Sequence, residues 1–209
     1  MDRIPYFASA FKPSTFKESI TQKLKLPEEN YSAMCLMLRW LYRGPGSLHT
    51  MTVLPDQVPR FLRLYIAADK FCMEELKNET IDVVRSRSLK YGSLCAPAAY
   101  MVFENTMPGD GMRVWLARQY AWDYRKFTGT RATKEASDEG YKELLEYIGE
   151  GGDFAIDVFK AMMERQGTPG SCKGNPAAED DCTYHEHRDT EKCEKRCSRL
   201  HIGYGFTAS

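Results

Sequence analysis

Val58-Pro59-Arg60-Phe61-Leu62-Arg63-Leu64-Tyr65-Ile66-Ala67-Ala68-Asp69-Lys70-Phe71 is the stretch on which the fold turns. Pro59 suits a first helical turn, where its missing N–H leaves no intrahelical bond unmade. From there Phe61, Leu62, Tyr65, Ala68 and Phe71 recur at helical spacing, which predicts a helix with one broad apolar stripe. Downstream, a second helix is expected from about Met73 to Arg87, its inner face marked by Leu76, Thr80, Val83 and Val84. Upstream, Ser47 to Leu54 carries β-formers and reads as a strand, and Gly44-Pro45-Gly46 ends the helix before it. That helix follows Asn30, a favourable N-cap, and its expected inner stripe is Met34, Cys35, Leu38, Leu41 and Tyr42. Earlier still, Ile20, Leu24 and Leu26 alternate with Thr21, Lys23 and Lys25, the pattern of a half-buried strand, which Pro27 stops. Residues 5 to 11 read as a short helix. Together with Phe16, its Tyr6, Phe7 and Phe11 place much apolar surface ahead of any strand, so the chain is expected to open inside a domain.

Beyond Leu89 only helices are expected. One covers Ala96 to Asn105, and another follows Pro108 with Met112, Trp115, Leu116 and Tyr120 facing inward. Trp122 and Tyr124 extend that aromatic stripe and read as core, with an exposed partner site as the alternative. The polar run Thr128 to Ser137 reads as a loop, then Tyr141, Leu144, Leu145 and Ile148 mark an amphipathic helix. Asp153 can cap a last helix bearing Phe154, Val158, Phe159 and Met162. After Gln166, Gly167-Thr168-Pro169-Gly170 signals a linker. The chain therefore divides into residues 1–90, a helical extension at 91–166, and a linker with a Cys/His-rich tail at 167–209. The class is α+β, mostly helical.

Composition narrows the function. Lys plus Arg and Asp plus Glu are both 29, and this balance argues against nucleic-acid or membrane-surface binding, which need clustered cations. No apolar run approaches a bilayer span, and Arg3, Pro5, Lys12 and Lys17 interrupt any signal-peptide core. A cytoplasmic or nuclear location follows, in which the seven cysteines are thiols or metal ligands rather than disulfides.

The ordered set Pro5-Tyr6-Phe7, Phe16-Lys17-Glu18-Ser19, Leu24-Lys25-Leu26-Pro27-Glu28, Leu38-Arg39-Trp40-Leu41-Tyr42, Leu64 to Phe71 and Leu76-Lys77-Asn78 resembles a BTB (POZ) domain of the filamentous-fungal type. The resemblance covers roughly 85 residues, a plausible share of one domain. Ala96 to Met163 is similar to the helical region that follows such domains, through Glu104-Asn105-Thr106, Arg113 and Ala121-Trp122. It implies a non-enzymatic protein-interaction module, a scaffold or adaptor, with other proteins as partners; a truncated copy with no independent activity is an alternative expectation. The loop Arg43 to Leu54 and the helix Val58 to Phe71 are the interaction face expected. Two departures bear on partners. The strand hairpin and first helix that relatives use to pair are absent, which counts against a homodimer. Relatives that recruit cullin-type ubiquitin ligases carry a hydrophobic-x-Glu element, and no glutamate lies between Tyr31 and Leu54.

The tail holds the one dense cluster of reactive side chains: Cys182, His185, His187, Cys193, Cys197 and His201. Cys and His in closely spaced pairs are the ligands of tetrahedral zinc, and a helical Glu191 to His201 would align Cys193, Cys197 and His201 on one stripe. The alternatives are thus a zinc-binding regulator, with zinc as its cofactor, or a solvated tail and no cofactor, since the segment is too poor in apolar residues to fold unaided. Catalytic residues are not expected. Cys35 and Cys72 read as inert thiols on apolar helical faces, Cys95 lacks an adjacent histidine, and His49 stands alone as a strand residue. Gly149-Glu150-Gly151-Gly152 follows no strand and matches no phosphate loop. Glu28-Glu29 and Glu74-Glu75 read as solvated charges.

Overall fold

The computed structural model describes residues 12, 17–21, 23–51, 53–91, 96–129, 146, 148–164, 175–179, 181–188 and 190. They form α1 (Lys17–Thr21), α2 (Tyr31–Arg43), α3 (Val58–Lys70), α4 (Glu74–Tyr91), α5 (Ala96–Asn105), α6 (Gly111–Gly129) and α7 (Gly152–Glu164). Short 3₁₀ turns lie at Pro55–Gln57, Pro176–Ala178 and Asp181–Thr183. The architecture among the described residues is helix packed on helix. α3 lies between α2, α4 and α5, while α6 packs on α7.

The helix boundaries follow local chemistry. The Asn30 side chain accepts from the amides of Ser32 and Ala33, satisfying two of the donors a helix start leaves open. Gly44 closes α2 at φ 86°, a left-handed conformation that glycine adopts without strain. In α3 the whole expected stripe is buried: Phe61, Leu62, Tyr65, Ala68 and Phe71. The inner residues expected of α4 (Leu76, Thr80, Val83, Val84) and of α6 (Met112, Trp115, Leu116, Tyr120) are buried as well. Trp122 is half-buried, and the side chain of Tyr124 lies outside the described ones.

Several expectations fail. No strand occurs among the described residues. Ile20 sits in the helix α1 and is 72% exposed; beyond it Leu24 and Leu26 are half-buried and Lys23 and Lys25 exposed, so the alternation is present, with no strand among the described residues to pair with it. Residues 47–50 form turns instead of the start of a strand, with Ser47 and Leu48 buried and His49 exposed. The inner face of α2 is Ala33, Leu36, Met37 and Trp40; of the stripe expected, Met34 and Leu41 are half-buried against the core, Cys35 is half-buried, and Leu38 and Tyr42 are exposed. α2 is apolar nearly all round, so spacing alone offered two faces; the bond from Trp40 to Glu79 selects one. Phe159 is exposed, because α7 turns Phe154, Val158 and Ala161 inward instead. Cys72 lies on no helical face: it is exposed at φ 56° in the turn between α3 and α4. The loop expected over Thr128 to Ser137 lies outside the described residues beyond Gly129, and the helix at 141–148 does so except for residues 146 and 148.

Candidate functional site

α4 sets the site. Its sequence is polar, yet Lys77, Glu79, Thr80, Arg85, Arg87 and Ser88 are all buried with Leu76, Ile81, Val83 and Val84. A charge taken from water needs partners of opposite sign or strong hydrogen bonds. For Glu79 and Arg85 two elements supply them, one on each side of the helix.

On the first side lies the turn after α2. Glu79 Oε2 accepts from Trp40 Nε1 at 2.6 Å and from the Gly46 amide at 2.8 Å, while Oε1 accepts from the Leu48 amide at 2.7 Å. One carboxylate thereby stands in for the ladder bonds that this backbone would otherwise need.

On the second side, the C-terminal segment runs antiparallel along α4. Glu74, Asn78, Asp82 and Arg85 recur on one face at about four-residue spacing. Arg85 donates to the Glu179 carbonyl and stacks over the Tyr184 ring, 4.9 Å from its centroid. His185 Nε2 meets Asp82 Oδ1 at 2.9 Å. Asn78 and the Glu186 backbone exchange two bonds, at 2.7 and 3.0 Å. Glu74 receives the amides of Arg188 and Thr190 and the Thr190 hydroxyl, so it is a clamp rather than a solvated charge. Apolar anchors finish the contact: Pro176, Ala177 and Tyr184 are buried. Burial, and then the bond to Glu179, push the Tyr184 phenol up to about 12, so it stays a donor. The segment that could not fold unaided borrows its partners from α4.

Lys77 Nζ is 2.6 Å from Asp69, 2.8 Å from Asp110 and 2.5 Å from Glu186, with its side chain 3% exposed. Burial pulls the ammonium down, but bonds from Asp110, Asp69 and Glu186 reverse this and hold it above the ordinary lysine value. The three carboxylates have the spacing of a hard-cation site, and the ammonium is the cation among them. Asp110 also caps α6 through the Met112 amide at 2.9 Å and accepts from Tyr65 Oη at 2.9 Å. Burial, then the Asp110 charge and bond, raise Tyr65 well above the usual phenol value.

Arg113 performs a similar joining role for the extension. It donates to the carbonyls of Phe103 and Thr106, to Thr106 Oγ1 at 3.1 Å and to Asp153 Oδ2 at 3.1 Å, tying the end of α5 to α6 and α7. A cleft of about 120 Å³ beside it, lined by Tyr100, Phe103, Glu104 and Asp153 among others, is too small for a cofactor.

Of the tail residues singled out by sequence, Cys182 Sγ and His187 Nε2 stand 3.7 Å apart. His185 and His187 have ring centroids 5.9 Å apart. Cys193, Cys197 and His201 lie outside the described residues. Lys77, Glu79 and Arg113 went unrecognised as organising residues, since a charged residue on a helix reads as solvated unless all its neighbours are known. The sequence signal was the low amphipathicity of α4, which fits a helix covered on several sides.

Of the expected interaction face, the loop Arg43 to Leu54 keeps exposed positions, Leu54 among them, and only the helix needs correction. α3 is core, with Val58, Phe61, Leu62, Leu64, Tyr65, Ala67 and Ala68 buried. Exposed apolar side chains lie on α2, where Tyr31 is 83%, Leu38 46% and Tyr42 89% exposed, and also on α7, where Ile156, Phe159 and Met163 are exposed. The α2 residues recur along one helical face, with Cys35 half-buried between them. Arg39 and Arg43 flank the face, and α2 carries no acidic residue.

No helix among the described residues is long and apolar enough to cross a membrane. No curated protein and no solved structure matches the chain. Residues 2–88 match the family model described as BTB/POZ domain, a span that takes in α1 to α3 and most of α4. The chain thus carries a region similar to the BTB/POZ domain, and that similarity supports a protein–protein interaction module.

Proposed function

We propose that the chain is a non-catalytic scaffold or adaptor of the filamentous-fungal BTB kind, binding another protein through the outer face of α2. The exposed row Tyr31, Leu38 and Tyr42 carries this reading: large aromatic and aliphatic side chains on a rigid helix, held outward because Trp40 is bonded inward to Glu79. Aromatic anchors of this type dominate binding energy at protein interfaces. The flanking Arg39 and Arg43 favour a partner segment that pairs apolar residues with acidic ones, laid along the helix.

Photo-crosslinking from position 42, followed by reconstitution with the purified partner, tests the reading. Tyr42→Glu is expected to weaken the reconstituted complex by tenfold or more with the melting temperature unchanged. A partner that binds Tyr31→Glu and Tyr42→Glu variants as well as the native chain would remove α2 as the surface.

A further inference from the structure

We propose that the face of α4 and α6 covered by residues 175–190 is a peptide-binding groove whose partner in trans is the same segment of a second copy of this chain, so that two chains exchange their C-terminal segments. This goes beyond the reading of α2, whose exposed row takes no part in it.

The segment sits on the helices as a ligand does. Its regular structure, among the described residues, is two three-residue 3₁₀ turns, so it contributes little framework of its own. What holds it is a series of helix side chains that reach main-chain atoms. Arg85 donates to the Glu179 carbonyl, Asn78 exchanges two bonds with the Glu186 backbone, and Glu74 accepts from the amides of Arg188 and Thr190. Main-chain bonds give affinity for a linear segment, and pockets for its side chains give selectivity.

Two positions supply that selectivity. Tyr184 is buried, with the Arg85 and Arg118 guanidinium groups 4.9 and 5.7 Å from its ring centroid. Gly111 of α6 leaves free the space that a Cβ would take from the Tyr184 carbonyl. Two residues on, Glu186 reaches Lys77 at 2.5 Å and joins Asp69 and Asp110 around the ammonium. The groove therefore reads an aromatic ring followed two positions later by a carboxylate.

A second copy carries this pair at the required interval. Each chain has one groove and one segment, so reciprocal exchange fills both grooves and closes with two-fold symmetry. The bonds described above form in the exchanged pair as in the single chain, because none of them involves residues 165–174, which connect the segment to α7. A connection of this length holds the segment near its own groove at an effective concentration on the order of 1 mM, the level a segment arriving in trans must match.

A fluorescent peptide of residues 175–190 is the probe, and the full-length chain is the receptor. On the native chain the resident segment competes, so an apparent Kd on the order of 1 mM is expected. Tyr184→Ala combined with Glu186→Ala weakens the resident segment and leaves the groove intact, so the native peptide should bind at least about tenfold more tightly. Glu186→Ala alone shifts binding in the same direction and serves if the double variant melts early by circular dichroism. Asn78→Ala, added to either releasing variant, removes two main-chain bonds and should weaken the peptide by about tenfold. Exchange itself is read on a mixture of isotope-labelled and unlabelled full-length chains carrying a photo-crosslinker at position 188, where the Arg188 side chain is exposed. Crosslinks from that position to α4 that join heavy and light chains are expected. Releasing variants that bind no peptide, or bind it no better than the native chain, overturn the proposal. So do an affinity that Asn78→Ala leaves unchanged and crosslinks confined to single chains.

Discussion

Lys77 is a single side chain on which three parts of the chain converge: Asp69 at the end of α3, Asp110 at the start of α6, and Glu186 of the docked segment. Removing the ammonium leaves carboxylates close together with no counter-charge. Lys77→Met is expected to cost about 3–5 kcal/mol, the usual penalty for breaking a buried ion pair from one side. Asp69→Asn should cost far less, because the Asp69 side chain is 36% exposed and water can replace part of its interaction. Urea unfolding of the two variants checks the ordering; equal losses would mean that the cage is not organised around the ammonium. The same residues set an alkaline limit. Lys77 and Tyr65 both titrate above their ordinary values in the folded chain. Folding therefore holds protons that the unfolded chain releases near about pH 10, and this contribution is complete below that and lost as pH rises through the folded values. The urea midpoint should stay level from about pH 7 to 9 and fall above about pH 10, less steeply in Tyr65→Phe. A midpoint that is flat to about pH 11.5 would contradict this assignment.

Among elements, α2 shows how a helix whose limits are legible can still have an illegible face. Asn30 and Gly44 are local signals, and both act where the sequence placed them. Which way the helix turns is not local, because apolar residues cover most of its circumference. The choice is made by Glu79, distant in sequence, which draws Trp40 inward and ties down Gly46 and Leu48. Glu79→Gln keeps one acceptor oxygen but loses the charge and the second acceptor. A loss of about 2–3 kcal/mol is expected, with a change in tryptophan emission as Trp40 meets water. An unchanged emission spectrum would argue that packing alone holds α2 in phase. The same carboxylate explains the missing strand after α2: its turn amides are satisfied by a side chain, so no ladder is required.

For the molecule as a whole, the docked segment depends on space reserved elsewhere. Gly111 opens α6, and a Cβ there would lie 2.0 Å from the Tyr184 carbonyl oxygen. Alanine is normally the better helix former, so Gly111→Ala should help α6 locally by about 0.5–1 kcal/mol. Because the obstacle is backbone, the segment must shift, and a net loss of about 1–3 kcal/mol is expected, with faster proteolysis between residues 175 and 190. A stabilised, equally resistant variant would show that the segment does not press on α6. The limits of α2, α3 and α5, the stripes of α3 and α6, and the Cys/His content of the tail could all be read from the chain, because propensity, capping and periodicity act within a few residues. The phase of α2, the cage around Lys77 and the docking of residues 175–190 could not. Each depends on a buried charge meeting partners up to 109 positions away, and such a partnership exists only once the helices have packed.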